Sequence, residues 1–403
     1  MKIIQARIRG LGTLEESRWF ELSSRLNLFH FSDYTYGKYF SRILQTINPT
    51  YACHSVEPFA DFPKLITQNG HTRRVNPTKK TVVMSVFGAT PTLVNELAAV
   101  SELLYETDRI EVGRRLDYSQ WINFVELASS TRWSEISGDI KTLQDHAHRL
   151  EPDLVKPLDD ILKTLKPTDR VKDTLQDTLT EWLQNLPPAL HQSSEQLIES
   201  TLTAVKRAGH FLIARDIVRS RLPLFVVLDN SDPASLQIFL QLIFNKSKEK
   251  APGSDSCPFL DELNNQLTEL QYADITLRVE RSPEDVSLFI DGKPAQLTTE
   301  EPLPSLRLLQ AKTCLAVAFS RVVNRAEPIL LFANPEHTLP KELHVELADF
   351  VMNISKTCQS LCSFSAIDIF PQDIPGRRYS KADINMTGEQ KGTSPLMPVD
   401  GQM

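Results

Sequence analysis

The residues best placed to do chemistry follow a short apolar strand near the N-terminus. Ser32, Gly37, Lys38 and Tyr39 fit the spacing of the phosphate-binding P-loop, G-x-x-x-x-G-K-[ST], with Ser32 at the first glycine and Tyr39 at the hydroxyl position. In a P-loop, backbone N–H groups at a helix N-terminus surround the phosphates, and the Lys ammonium adds a positive charge. The segment therefore predicts a phosphate-binding turn through Lys38 and a helix from Tyr39 to about Ile47.

The hydroxyl position of this motif has lost its metal ligand. A small Ser or Thr hydroxyl binds Mg²⁺ in a P-loop, whereas Tyr39 carries its hydroxyl a ring's length farther out. The chain also has no Cys and His cluster with zinc-site spacing. We therefore expect no metal site, and ATP without a tightly held Mg²⁺ is the one cofactor left open.

The composition is that of an ordinary globular protein. The chain has 403 residues, of which 41% are hydrophobic and 24% charged, and this length is enough for two or three domains. Its net charge of −7 argues against a protein whose whole surface binds nucleic acid. Its longest apolar runs, such as 222–228, are too short to span a bilayer, and the charged, alternating N-terminus reads as a strand rather than a signal peptide. Five scattered cysteines suit reduced thiols, so we expect a cytoplasmic protein without membrane contact.

The periodicity of apolar residues changes twice along the chain. Period-two segments predict strands near both ends, and three- and four-residue spacing predicts helices from Thr90 to about Leu222. The predicted strands are 3–10, 18–22, 81–87, 224–229, 273–280, 286–291, 328–335 and 360–369. The predicted helices are 92–106, 117–129, 134–150, 169–186, 193–221, 234–246, 259–270, 305–323 and 341–356.

In this order of elements, the chain resembles the ATPase head of the SMC/RecF/SbcC group within the ABC class. The resemblance implies an α/β fold: a two-lobed, P-loop NTPase-like head with a helical insertion between the lobes. Residues 1–88 would be the N-terminal lobe with a degenerate P-loop, and residues 89–256 an arm-like helical insertion ending in a strand–helix unit. Residues 257–372 would be the C-terminal lobe with the signature helix and Walker B strand, and residues 373–403 a disordered tail.

The motifs that the resemblance implies for the C-terminal lobe are eroded. The signature L-S-G-G-Q/E is replaced by Leu-Pro-Ser-Leu-Arg at 303–307, and Pro340 stands where an Asp is expected. In the Walker B motif, Ala333 replaces the Asp that holds Mg²⁺ and Asn334 replaces the Glu that activates water. No switch His is evident, although Ser363 or Ser365 could stand in its place. Phosphoryl transfer depends on metal ions and positioning, so the resemblance implies a head without ATPase activity.

A second apolar strand also ends in an acidic residue. Residues 225–229 have a better-formed Walker B shape than residues 330–334, and they end at Asp229. If Asp229 were a metal ligand, Lys38 and Asp229 would be partners in a different class of P-loop protein. The alternative is a turn residue at the end of a buried strand.

Two segments of the sequence are rich in basic residues. Each could contact a phosphate backbone or an acidic partner, or could be a solvated surface without a binding role. The first lies on the long predicted helix and comprises Lys206, Arg207, Arg215, Arg219 and Arg221. The second comprises Arg73, Arg74, Lys79 and Lys80.

These observations favour a catalytically degenerate SMC/ABC-like head that serves as a structural or regulatory subunit. It would work with another ATPase or a DNA-processing partner, or as a homodimer through its lobes, and its apolar signature helix would supply a protein contact. DNA binding stays open. The first alternative is a weakly active or nucleotide-gated ATPase of DNA repair, maintenance or defence. The second is an unrelated α/β scaffold in which Gly37-Lys38 is accidental.

Overall fold

The computed structural model describes most of the chain. The described residues are 1–11, 14–50, 58–60, 62, 64–68, 71–101, 107–229, 234–248, 257–270, 275–282, 284–295, 305–366, 369–371 and 376–384. Their strands are β1 (Lys2–Leu11), β2 (Leu14–Glu16), β3 (Phe20–Glu21), β4 (Leu26–His30), β5 (Leu65–Gln68), β6 (His71–Arg74), β7 (Thr81–Gly88), β8 (Arg109–Arg115), β9 (Gln120–Phe124), β10 (Phe225–Leu228), β11 (Leu277–Arg281), β12 (Val286–Ile290), β13 (Lys293–Pro294), β14 (Ile329–Ala333), β15 (Gln359–Phe364) and β16 (Arg377–Ser380). Their helices are α1 (Tyr34–Gln45), α2 (Pro91–Ala98), α3 (Trp133–Leu150), α4 (Lys156–Leu162), α5 (Asp173–Gln184), α6 (Pro188–Arg221), α7 (Ala234–Ser247), α8 (Pro258–Glu269), α9 (Ser305–Asn324), α10 (His344–Ile354) and α11 (Lys381–Ile384). Over these ranges, every helix is too short or too polar to cross a membrane.

A parallel sheet lies at the centre of the molecule. Its strand order is β10-β14-β15-β4-β16, and every pairing is parallel. Strands β14 and β15 are buried along their whole length, as expected of a parallel sheet covered on both faces. One face packs on α1, and the other packs on α7, α9 and α10, so alternate residues of each strand enter two different cores.

A second, antiparallel sheet covers the outer side of α1. Its order is β2-β1-β7-β8-β9, with β3 also paired to β1. Ile8, Val83 and Val112 of this sheet share one core with Phe40 of α1 and Leu331 of β14. Helix α1 is therefore held between the two sheets, where its position is fixed from both sides.

The helical insertion has a core of its own. Ile140 of α3, Leu179 and Leu183 of α5, and Val205 of α6 are buried together, apart from the two sheet cores. Helix α6 continues from this core to the antiparallel sheet, where its residue Val218 joins the core that contains α1. The backbone of α6 departs from helical geometry at Ser194 (φ −136°).

The predicted α/β class is confirmed, but the helix predicted over 117–129 is wrong. Residues 109–115 and 120–124 form β8 and β9, whereas we predicted that a helical insertion begins at residue 89 and includes a helix over 117–129. The core side chains Ile110, Val112, Ile122 and Phe124 recur with period two and pair across the strands, and this pairing overrides the helical spacing. The insertion's own helices begin at Trp133.

The predicted disordered tail is also wrong for residues 376–384. Strand β16 pairs with β4 and is followed by α11. Tyr379 stacks on Phe29 with ring centroids 4.9 Å apart, and Ile384 is completely buried, so two apolar residues in a polar segment anchor it. The rest of the predicted tail, 373–375 and 385–403, lies outside the described residues.

Candidate functional site

The strand order brings both halves of the predicted site to one edge of the parallel sheet. Strands β4 and β14 flank β15, and their carboxyl ends open on the same side, which is where ligands bind in open α/β sheets. Gly37 and Lys38 approach this edge from α1, Asn334 follows β14, and Asp229 follows β10.

The turn between β4 and α1 is shorter than the predicted phosphate-binding turn. Helix α1 begins at Tyr34 instead of Tyr39, so only residues 31–33 link it to the strand. The N–H of Gly37 donates to the Asp33 carbonyl at 3.3 Å and is therefore used within the chain. Asp33 is a strong N-cap whose carboxylate accepts from the Thr35 N–H at 2.8 Å, which explains the early start of the helix.

The Asp33 carboxylate also changes the electrostatics of this helix end. It lies at the N-terminus of α1, where the helix dipole favours negative charge and where a P-loop would hold phosphate. Ser32 and Asp33 are exposed, Tyr39 is 40% exposed, and Gly37 is buried. The geometry does not favour the predicted cradle, and a phosphate-binding role for Ser32, Gly37, Lys38 and Tyr39 stays a prediction.

Lys38 forms an ion pair with Asp229. Its Nζ lies 2.7 Å from Asp229 Oδ2, and the exposed fractions of the two side chains are 26% and 4%. Lys312 of α9 is also buried, and its Nζ lies 3.4 Å from the Asp229 carbonyl oxygen. The partnership of Lys38 and Asp229 that the sequence left open is therefore present as an ion pair that ties α1 to the end of β10.

Asn334 packs against α1 on the other side of the same edge. Its backbone is left-handed (φ 44°, ψ 58°), its Nδ2 donates to the Tyr34 carbonyl at 2.8 Å, and its N–H donates to the Ser363 carbonyl at 2.9 Å. A Cβ on Gly37 would lie 2.7 Å from Asn334 Oδ1 and 3.0 Å from Ser363 Oγ. A side chain at position 37 would therefore have to displace the Asn334 amide. That amide, which cannot take a proton from water, anchors the first turn of α1.

Glu336 joins the loops that follow β14 and β15. Its Oε1 accepts from the N–H and the hydroxyl of Ser365, at 2.7 and 3.0 Å, and the residue is only 4% exposed. Burial and, secondarily, the Glu336 charge raise the pKa of the Cys362 thiol. Ser363 and Ser365 are thus both engaged in hydrogen bonds within the protein. Within the described ranges, His, Cys, Asp and Glu side chains form no group of three that could hold a metal ion.

Sequence reasoning missed three residues of this site, namely Asp33, Lys312 and Glu336. Each had a signal. Asp33 is an N-cap residue type just before an apolar-periodic segment, and Lys312 is a lone cation in an apolar helix. Glu336 is an acid directly after Asn334-Pro335. The P-loop spacing directed attention to Gly37-Lys38 and away from the cap.

The basic segment of α6 is largely paired with carboxylates. Lys206 lies beside His210, and burial followed by the Lys206 charge lowers the pKa of that imidazole. The ion pairs are Arg207 with Glu135 (3.3 Å), Arg215 and Arg219 with Asp216 (3.4 and 3.1 Å), and Arg221 with Glu96 (2.7 Å). These contacts favour the interpretation as a structural helix surface over a phosphate-binding one.

The central residues of α9, 311–320, are not available for the protein contact predicted for the signature helix, whereas Val323 near the end of the helix is 38% exposed. Residues 311–320 are all buried, and Leu309, Leu315 and Val317 have no exposed surface. The helix is apolar because it lies inside the core formed with α8, α10 and the parallel sheet. Leu303 and Pro304 lie outside the described residues.

Comparisons with known proteins return heads of the predicted class among solved structures. An Smc head bound to the C-winged helix domain of ScpA matches with a TM-score of 0.41 and 11% identity, covering 92% of this chain and 91% of that one. The recombination mediator RecF matches with a TM-score of 0.39 and 9% identity, covering 95% of this chain and 97% of that one. The SMC head domain from Thermotoga maritima matches with a TM-score of 0.35 and 9% identity, covering 91% of this chain and 90% of that one.

The matched structures are too distant to assign a function to this chain. All three TM-scores are below 0.5, so they carry no conclusion about ligand, activity or partner. No family model and no curated protein matches the chain. The chain's own strand order shows that β4 and β14 flank β15 in one parallel sheet.

Proposed function

We propose that this protein is a catalytically inactive SMC/ABC-like head that acts as a structural or regulatory subunit. The observation that carries the proposal is the three-residue turn before α1, which leaves no loop to surround a triphosphate. Two contacts support it, since Asp33 caps the helix and Asp229 engages the Lys38 ammonium.

The chemistry of hydrolysis leads to the same proposal. Phosphoryl transfer needs a metal ion that bridges the phosphates and a group that orients the attacking water. Tyr39, Ala333 and Asn334 occupy the positions where the family has those groups, and Asn334 is bonded to the Tyr34 carbonyl. Restoring one residue would therefore leave the turn and the metal ligands still missing.

A head that does not hydrolyse ATP must act through the molecules that it binds. We propose that it binds a protein partner, either a related ATPase or a DNA-processing protein. The alternative partner is a second copy of the chain, bound through the lobes as a homodimer. Sedimentation of the purified full chain at micromolar concentration separates the two: a dimer supports self-association, and a monomer directs the search to another protein.

Phosphate release by the full chain tests the loss of activity. We expect no release above background with ATP and Mg²⁺ for the wild type, for Lys38→Ala or for the double variant Ala333→Asp/Asn334→Glu. Release by the wild type that disappears in Lys38→Ala would overturn the proposal and support the alternative, a weakly active or nucleotide-gated ATPase. Release gained by the double variant would show that the turn is competent and that only the Walker B residues are degenerate.

A further inference from the structure

The outer face of the antiparallel sheet carries a row of residues unrelated to the site on the parallel sheet. Arg7, Met84, Gly113 and Trp121 are directly opposite one another on β1, β7, β8 and β9. Directly opposed residues point to the same side of a sheet. Their sequence neighbours, among them Ile8 and Val112, point to the other side and enter the core with α1.

Trp121 lies flat on this outer face. A Cβ on Gly113 would come within 2.3–2.5 Å of three atoms of the indole, so the ring occupies the space directly above the glycine. The indole Nε1 donates to Thr81 Oγ1 at 3.2 Å on β7, which fixes the ring across β8. Trp121 is partly exposed.

Four cations lie on or beside the same face. Arg7 and Arg9 share Glu16, with N–O distances of 2.7 and 2.8 Å and side-chain exposures of 13% and 18%. Lys80 lies close enough for both arginines to lower its pKa. Arg115 is two residues beyond Gly113 and therefore on the same side of β8. Within the described part of this face, the carboxylates are Glu16, Glu21 and Glu111, of which Glu21 is paired with Arg377 at 2.7 Å.

These cations are crowded. Burial and then the Arg9 charge lower the pKa of Lys80, and the same two causes lower the pKa of Arg7. A polyanion would relieve this repulsion. The face is therefore locally positive although the chain carries a net charge of −7.

We propose that this face binds single-stranded nucleic acid, with an unpaired base stacked on Trp121 and phosphates on Arg7, Arg9, Lys80 and Arg115. A base in a duplex has both faces covered, whereas an unpaired base can stack on an aromatic ring, and such stacking tolerates any sequence. The flat indole separates this ligand from an acidic protein segment, which would need only the cations.

Anisotropy of labelled fifteen-nucleotide oligo-dT and oligo-U, titrated with the full chain, tests the proposal. We expect Trp121→Ala to weaken binding about five- to hundredfold, the range found for one stacked base, and Trp121→Phe to bind nearly as well as the wild type. With four phosphates contacted, the slope of log K against log[salt] should be about −3. Lys80→Gln/Arg115→Gln should reduce that slope by about 1.4. Arg219→Gln, on α6 and paired with Asp216, is the matched control and should change neither value.

A second readout covers the case in which Trp121→Ala does not fold. Oligonucleotide should quench the tryptophan fluorescence of the wild type, and Trp121→Phe should lose that quench while keeping its affinity. Unchanged binding by Trp121→Ala, or a duplex bound as tightly as the single strand, would overturn the proposal. A poly-Glu peptide that competes equally well would assign the face to an acidic protein instead. The oligo-dT and oligo-U arms show whether DNA or RNA is preferred.

Discussion

The ion pair between Lys38 and Asp229 gives the sharpest stability prediction. The two partners are buried unequally, because 26% of the Lys38 side chain is exposed but only 4% of the Asp229 side chain. Replacing Lys38 with Met leaves the Asp229 carboxylate buried without the ammonium that lies 2.7 Å from it. Replacing Asp229 with Asn leaves the Lys38 ammonium on a flexible stem that can turn toward water, and it keeps the backbone carbonyl that Lys312 contacts. We therefore expect Lys38→Met to destabilise the protein more than Asp229→Asn.

The size of the effect depends on this burial. Breaking a buried ion pair by removing one partner costs about 3–5 kcal/mol. Since Lys38 is partly exposed, we place Lys38→Met near the lower end, at about 3 kcal/mol, and Asp229→Asn at about 1–2 kcal/mol. The double variant should lose less than the sum of the two, with a coupling free energy of about 1–3 kcal/mol.

Urea unfolding, followed by tryptophan fluorescence, measures the free energy of unfolding of the wild type, the two single variants and the double variant, which together form a double-mutant cycle. The matched control is Lys156→Met, which removes the exposed pair with Asp153, whose side chains are 75% and 87% exposed. We expect that change to cost about 0–1 kcal/mol. If Lys38→Met costs no more than the control and the double variant is additive, Lys38 is not held by Asp229 and the structural role assigned to it is refuted.

Three further predictions concern single side chains. Gly37→Ala should destabilise the protein by about 1–3 kcal/mol, because the new Cβ would overlap Asn334. Gly138→Ala on α3, where a Cβ would meet nothing within 4 Å, should stabilise it by about 1 kcal/mol. Thermal unfolding midpoints of the two variants that shift in the same direction would contradict the packing described here. Burial raises the pKa of Cys314 to about 12 and also raises the pKa values of Cys358 and Cys362. In a Cys53→Ser background, only Cys257 should therefore react with a thiol reagent at pH 8 before the protein unfolds. Rapid labelling of a second thiol in the folded protein would argue against this burial. Burial lowers the pKa of His210 in the folded state, so the unfolded chain binds that proton more readily, and stability falls as the pH drops through the unfolded pKa toward the folded one. His210→Gln should therefore lose less stability than the wild type between pH 8 and 5. Identical pH profiles of the two proteins would exclude this contribution.

Much of the central sheet was predictable because its strands are marked by uninterrupted apolar runs. Residues 329–333 and 225–228 form strands where the sequence placed them, and the order of elements was enough to predict the α/β class. Strands β8 and β9 were harder, because their identity depends on pairing with β7 and not on local spacing. Strand β16 is invisible locally, since Tyr379 becomes a core residue only when the chain returns to β4.

Some members of the candidate site were predictable, but the contacts that they make were not. The sequence placed Gly37, Lys38 and Asn334 at one edge of the sheet, and the structure brings them together. The motif spacing could not reveal that Asp33 starts the helix early. It also could not decide between Asp229 as a metal ligand and as an ion-pair partner, since that depends on a distance of 2.7 Å between residues far apart in the chain.

The central claim is that the chain's own groups take the place of the phosphates. It is tested most directly by the thermal unfolding midpoint with and without millimolar ATP, each with and without Mg²⁺, for the wild type and for Lys38→Ala. A ligand that binds only the folded state must stabilise it, by about 2.7 kcal/mol at a hundredfold excess over its Kd. We predict that ATP leaves the midpoint of each protein unchanged, although Lys38→Ala itself melts lower. An ATP-dependent rise in the wild type that is absent in Lys38→Ala would contradict the account, because it would show that Lys38 leaves Asp229 to bind nucleotide.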